Sequence, residues 1–223
     1  MLGSLRLPLI LVASGGPAAA AGTNVAVSAA SALVGAIRHV RAGRIDWRIA
    51  AWMTPPSVAG AFVGGYFGGI IPDRLLLGAI AAVLLWSGLD LVFELRAAPR
   101  SRRPRLAAVS AGLVIGVLGG AVGLILGTLR MPALVRSVGL TPHRAVGTNL
   151  VVGFVLGVAG FAGHLARLEV EPEVLAVSLA GALPGAWFGA RLTGRMSERT
   201  LRRAIGVTLL VVAVVLAAAA AAS

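Results

Sequence analysis

Apolar residues run along this chain in blocks, separated by short clusters of arginine, glycine and proline. The blocks cover about Ala18 to Val40, Trp47 to Ile71, Leu75 to Phe93, Ala145 to Leu165, Val174 to Leu192 and Leu201 to Ala222. Each is close to the roughly 20 residues that an α-helix needs to cross about 30 Å of hydrocarbon. Leu106 to Val138 is also apolar but is broken by glycines and by Pro132, and Leu5 to Ser14 is too short to span. Pro8 interrupts that first piece and no charged segment precedes it, so it does not read as a secretory signal. The stretch APRSRRPR, residues 98–105, has the composition of a linker. The pattern predicts an all-α, polytopic membrane helix bundle with a first membrane repeat at 1–97, a basic linker at 98–105 and a second repeat at 106–223.

The halves are related by an internal repeat. GSLRLP (Gly3–Pro8) recurs as GTLRMP (Gly127–Pro132), and PAAAAGTN (Pro17–Asn24) recurs as PHRAVGTN (Pro142–Asn149). At a constant offset of 125 from Asn24 and Asn149, Gly35 meets Gly160, His39 meets His164, Gly60 meets Gly185 and Gly64 meets Gly189. Apolar composition makes chance matches cheap, but it does not place arginine, asparagine and histidine in register. The first half has no counterpart of Leu106–Leu124, so a first helix is expected to be missing, as from a start codon assigned too late.

Charge sets the expected topology. Arg38, Arg41, Arg44 and Arg48 flank one gap, and Arg96, Arg100, Arg102, Arg103 and Arg105 fill the linker. In the second half the basic gaps are others, Arg136 with Arg144 and then Arg191, Arg195, Arg199, Arg202 and Arg203. Residues 167–173, the counterpart of the first basic gap, carry Glu169, Glu171 and Glu173 against Arg167. Arginine-rich gaps belong on the cytoplasmic side, so the two halves should be inverted in the membrane. The segment 106–138 must then start and end on one side, as a full helix 106–124, a turn at Gly123–Gly127 and a short returning half-helix near 128–138. Non-helical backbone at membrane depth survives where protein buries it or where it lines a wet cavity, and broken helices on inverted repeats are a transporter design.

Composition narrows the function classes. The 223 residues are 58% hydrophobic and 13% charged, about half the charged fraction of an average soluble chain. The net charge is +12 and every basic residue is arginine. These arginines lie in the gaps between apolar runs, so they mark a membrane face and not a nucleic-acid surface. Cysteine is absent, which excludes disulfides and thiolate chemistry. No HExxH, GxSxG or Walker sequence occurs, and the glycine-rich Gly116–Gly127 lacks the Lys-Ser/Thr ending of a nucleotide loop. No cofactor, metal or catalytic residue is expected, and the protein is not expected to be an enzyme.

Several polar residues stand in apolar surroundings. Arg6 and Arg130 each precede a Leu-Pro or Met-Pro step at the broken helix. Arginine at the centre of a membrane helix costs about 2.5–3.5 kcal/mol on insertion scales. The guanidinium fork suits oxyanions, whereas the bland alternative is an arginine that snorkels to an interface. Thr23 and Asn24, with Thr148 and Asn149, would shape a substrate site if the segments converge on a central cavity, helped by free N–H groups at half-helix ends; otherwise they bond neighbouring helices. His39 and His164, about four helical turns further on, are candidates for proton coupling or interfacial caps. Gly60, Gly64 and Gly68, with Gly181, Gly185 and Gly189, form small-residue ridges for close helix packing. Asp90 and Glu94 are expected to pair with linker arginines.

Two copies of a glycine-rich break with an apolar-Pro step, a G-T-N segment, a histidine and a small-residue helix resemble the sulfite exporter TauE/SafE family, also called toluene-sulfonate uptake permeases. The resemblance covers the chain apart from the missing first helix. Gly123, Gly127 and Pro132 match the family's break in part, and Gly3 with Pro8 is a remnant of it. The resemblance implies a multi-pass permease of the inner (plasma) membrane for sulfite, a sulfonate or a related organic anion. Its expected partners are the lipid bilayer and a small anionic substrate, with no nucleic acid and with a homodimer as a candidate assembly. The rival readings are a channel-like anion pore, a non-transporting scaffold and an inactive truncated permease.

Overall fold

A computed structural model describes Ile10, Ala13 and residues 17–66, 73–93, 103–122, 127–166 and 170–222. Among these residues there is no strand. The helices are α1 (Pro17–Arg41), α2 (Trp47–Tyr66), α3 (Asp73–Phe93), α4 (Pro104–Val122), α5 (Gly127–Pro132), α6 (Pro142–Ala166), α7 (Pro172–Arg195) and α8 (Glu198–Ala222), with a π-helical turn at Ala133–Ser137 after α5. Three of them, over Pro142–Ala162, Pro172–Arg195 and Glu198–Ala218, are long and apolar enough to cross a membrane by length and composition. Tryptophan, phenylalanine and valine side chains stand exposed along the outside, among them Phe62, Trp86, Val177 and Phe188. Such an outer surface suits lipid, and the chain is an all-α membrane helix bundle.

The repeat is visible in where the helices begin. α6, α7 and α8 start 125 residues after α1, α2 and α3, at Pro142, Pro172 and Glu198 against Pro17, Trp47 and Asp73. The contacts between halves are reciprocal as well. Leu150 lies against Gly35, and Val25 lies against Gly160, at the distances of 3.1 and 3.3 Å that a Cβ on each glycine would meet. Residue 25 plays for residue 160 the part that residue 150 plays for residue 35, so α1 and α6 cross antiparallel about a pseudo-twofold, as in an isologous interface. α3 and α8 pair in the same way, with Gly88 against the Gly206 carbonyl, and the α2–α6 contact has its counterpart in α1–α7.

Helix ends are set by local chemistry. α1 stops at Gly43, whose φ of +65° is the left-handed conformation open to glycine. Around it the Arg44 N–H donates to the His39 carbonyl and the Gly43 N–H to the Val40 carbonyl, both at 2.9 Å, which is a Schellman ending. α2 then begins at Asp46, whose side-chain Oδ1 accepts the Ile49 N–H at 3.0 Å as an N-cap.

α4 ends at Val122 and the half-helix starts at Gly127; residues 123–126 of the expected turn lie outside the described residues. The half-helix does return. Arg136, near its end, donates from Nη2 to the Asp90 carbonyl at 2.7 Å and pairs through Nε with Asp90 Oδ2 at 2.8 Å. Both residues line a cavity of about 540 Å³ together with Ala107 of the first turn of α4. Asp90, expected to pair with linker arginines, is thus bonded to Arg136 of the returning piece; Arg96, Arg100 and Arg102 of the linker lie outside the described residues. Glu94 lies outside the described residues.

α2 and α7 differ in their neighbours. α4 lies along α2 so closely that a Cβ on Gly112 would stand 2.6 Å from the Met53 carbonyl, and Gly60 and Gly116 are as tightly met by the Leu113 and Ser57 carbonyls. This is small-residue packing of membrane helices. α7 has no such cover among the described residues. Nothing lies within 4 Å of a Cβ on Gly181, Gly185 or Gly189.

The arginine-rich ends meet on one side. Arg44 of the α1–α2 turn donates to the Gly194 carbonyl at 3.1 Å, His143 Nε2 lies 3.1 Å from the Thr193 carbonyl, and Arg144 lies 3.9 Å from Asp46. The end of α1, the start of α6 and the end of α7 therefore share a face of the bundle. Glu171 and the start of α1 are joined at the other.

Candidate functional site

Among the described residues the half-helix carries the most deeply buried arginine. All of Thr128, Leu129, Arg130, Met131 and Pro132 are buried, and Arg130 is 2% exposed. Pro132 has no N–H to give to the preceding turn, and the chain continues as a π-turn that closes with the Val138 N–H on the Ala133 carbonyl at 2.9 Å. Such wide turns recur at functional places in helices. Gly139, with φ of +83°, then ends the piece.

Arg130 is held by α6. Its Nε donates to Asn149 Oδ1 at 2.8 Å, and Asn149 Nδ2 donates to the Gly127 carbonyl at 3.1 Å. The asparagine thus spans from the first residue of the half-helix to the guanidinium, and both of its amide atoms are committed. One turn further along α6, a Cβ on Gly153 would stand 3.2 Å from Arg130 Nη2. A side chain at 153 would press on the guanidinium and make it shift by a few tenths of an ångström. Among the described residues no carboxylate pairs with Arg130. Asn149 is neutral, so the site keeps a positive charge in a low-dielectric interior, where a charge without a counter-ion is costly.

The threonines of the two G-T-N segments are bound to the backbone of the opposite half. Thr148 Oγ1 accepts the Asp46 N–H at 3.0 Å, and Thr23 Oγ1 accepts the Glu171 N–H at 3.0 Å. Asp46 and Glu171 are the repeat-equivalent residues that open α2 and α7. The two bonds are one contact made twice, and each ties a half's polar segment to the helix start of the other.

The two segments do not meet at one cavity. Val25 stands opposite Gly160 and Leu150 opposite Gly35, so Asn24 is level with about residue 161 of α6. Asn149 is twelve residues from that level, or about 18 Å along the helix at 1.5 Å per residue. The antiparallel crossing is the reason: it sends equivalent residues toward opposite ends. Asn24 is buried like Asn149, and Arg6 lies outside the described residues.

His39 is buried in the last turn of α1, where its Cβ lies 3.1 Å from the position of a Cβ on Gly147, and neither ring nitrogen has a hydrogen-bond partner among the described residues. His164 is half-buried near the end of α6, at the opposite side. Reading the sequence did not single out Gly153, Asp46 or Glu171 for the site. Gly153 had a signal available, since it lies one helical turn from Asn149 on the same face. The amides of Asp46 and Glu171 had none, because backbone donors carry no side-chain signature.

The sulfite exporter TauE/SafE family pattern matches residues 2–216. The chain belongs to this family. A probable membrane transporter protein, YdhB, of Bacillus subtilis is 29% identical over 169 residues, which cover 73% of this chain and 69% of that protein. A probable membrane transporter protein of Xylella fastidiosa is 27% identical over 155 residues, 66% of this chain and 59% of its own length. The match with the Xylella protein thus spans less than two thirds of that relative. No solved structure matches the chain. Membership of TauE/SafE agrees with the apolar bundle and makes this an integral membrane protein of a transporter family, while leaving the passenger open.

Proposed function

We propose that the chain is a secondary transporter that carries a small anion, sulfite, a sulfonate or a related organic anion, across the plasma membrane. Arg130 and Asn149 form one binding station, and Asn24 belongs to its equivalent in the first half, to which the sequence repeat alone assigns Arg6. The observation that carries this reading is the buried Arg130 guanidinium, oriented by a neutral asparagine and paired with no carboxylate among the described residues. An oxyanion supplies the missing negative charge and accepts bidentate hydrogen bonds from a guanidinium. The roughly 18 Å between the levels of the two asparagines suits two stations, one toward each face, related by the pseudo-twofold. Thr23 and Thr148 serve by locking the halves together beside the stations. The arginine-rich face is the cytoplasmic one by the positive-inside rule.

The test is uptake of radiolabelled sulfite, and separately of a short alkylsulfonate, by proteoliposomes containing the full chain. The wild type should saturate with substrate. Arg130→Gln should lose at least tenfold in initial rate while inserting and melting like the wild type, and Arg130→Lys should retain part of the rate. Equal flux through Arg130→Gln removes the station, and flux that rises linearly with concentration replaces the transporter with a pore.

A further inference from the structure

A second basic site lies on the arginine-rich face, away from Arg130. The last turns of α1 and α7 and the turn after α1 border an open cavity of about 460 Å³ lined by Arg38, His39, Arg44, Trp187, Arg191 and Arg195. Among the described residues no acidic side chain lines it. Two of its guanidinium groups are already positioned. Arg38 stacks on the Trp187 ring with its Cζ 4.7 Å from the ring centre, and Arg44 is anchored by its bond to the Gly194 carbonyl. His39 is 2% exposed, and both of its ring nitrogens are buried without a hydrogen-bond partner among the described residues. A buried polar side chain of this kind ordinarily finds a partner. Here it borders a cavity of one sign of charge.

We propose that this cavity holds the phosphate of an anionic phospholipid. Four arginines with no acid among the described lining residues define a polyanion site, and phosphate oxygens suit the guanidinium forks. The position of the cavity selects a lipid over a soluble phosphate. It lies at the ends of two membrane helices, where tryptophan marks the interface. Ile37 and Val40 of α1 and Phe188 and Leu192 of α7, on the same last turns as the arginines, are exposed apolar side chains against which acyl chains can lie. Basic pockets between membrane helices on the cytoplasmic side are the setting in which acidic headgroups bind. The site is separate from the proposed transport stations and stands whether or not those do.

Native mass spectrometry of the detergent-solubilised full chain tests the assignment, with phosphatidylglycerol and phosphatidylcholine of identical acyl chains as probes. Phosphatidylglycerol should be retained and phosphatidylcholine should not. Each arginine near a headgroup contributes about fivefold in affinity, so the triple variant Arg38→Gln, Arg191→Gln, Arg195→Gln should lose on the order of a hundredfold. The triple variant Arg41→Gln, Arg48→Gln, Arg199→Gln removes the same charge outside the cavity and should keep the lipid. Lysine at positions 38, 191 and 195 should keep most of the binding, which separates loss of charge from loss of fold. Equal retention of the two lipids, or equal loss in the two glutamine triples, overturns the proposal. Displacement of phosphatidylglycerol by submillimolar inorganic phosphate or glycerol phosphate overturns the lipid and assigns the cavity to a soluble anion.

Discussion

Asn149 Oδ1 accepts the Nε–H of Arg130 at 2.8 Å and so orients a buried cation without neutralising it. A carboxylate in the same place would do both. Asn149→Asp should therefore convert the site to an internal ion pair that competes with any anionic passenger. The expected result is a fall in transport rate of at least tenfold, with a melting temperature equal to or above that of the wild type. Asn149→Ala should lower both, since it leaves the guanidinium unpartnered at a cost of about 1–3 kcal/mol. Initial-rate flux and thermal unfolding on the same preparations check this. Unimpaired transport in Asn149→Asp would show that a free positive charge at Arg130 is not needed.

The reciprocal threonine bonds make a prediction that needs no substrate. Thr148 accepts from Asp46, and Thr23 from Glu171, in repeat-equivalent positions. Valine has nearly the shape of threonine but no hydroxyl, so Thr148→Val and Thr23→Val each leave one backbone N–H without its acceptor. Each should cost about 1–3 kcal/mol, and the two costs should agree within about 0.5 kcal/mol, because the contact is the same. The bonds are far apart, so the double variant should show additive losses. Urea or thermal unfolding in detergent reads both. A large inequality between the single variants would mean that the two halves are not equivalently supported there.

How far the sequence carried this picture depended on which forces are local. The starts of α1, α6 and α7 could be read to within a few residues, because hydropathy reports the length of a membrane helix directly and proline or polar residues open each. The offset of 125 was equally plain, since Asn24 with Asn149 and His39 with His164 leave matched marks in both halves. The placing of the arginine-rich ends on one face followed from charge alone. The separation of the two asparagines could not be read, because it depends on which residues of α1 and α6 cross, and Gly35 with Leu150 and Val25 with Gly160 settle that only in three dimensions. For the same reason the bond between Asp90 and Arg136, 46 residues apart in sequence, has no local signature. The role of Thr23 and Thr148 was hidden because their partners are backbone amides.

Gly60 and Gly185 are equivalent in sequence but not in surroundings, and this difference gives a third prediction. A Cβ on Gly60 would collide with the Leu113 carbonyl of α4, whereas one on Gly185 would meet nothing within 4 Å. Backbone cannot move aside as a flexible side chain can, so Gly60→Ala must push α4 away from α2 and should cost about 1–3 kcal/mol, the usual range for overpacking. Gly185→Ala has no such neighbour, and within a helix it replaces the poorest former but proline with the best, so its effect should lie between zero and a gain of about 1 kcal/mol. Thermal unfolding of the two single variants in the same detergent makes the comparison. A fall in stability for Gly185→Ala as large as that for Gly60→Ala would show that the small-residue face of α7 is covered in the assembled protein, by a helix packed as α4 packs on α2.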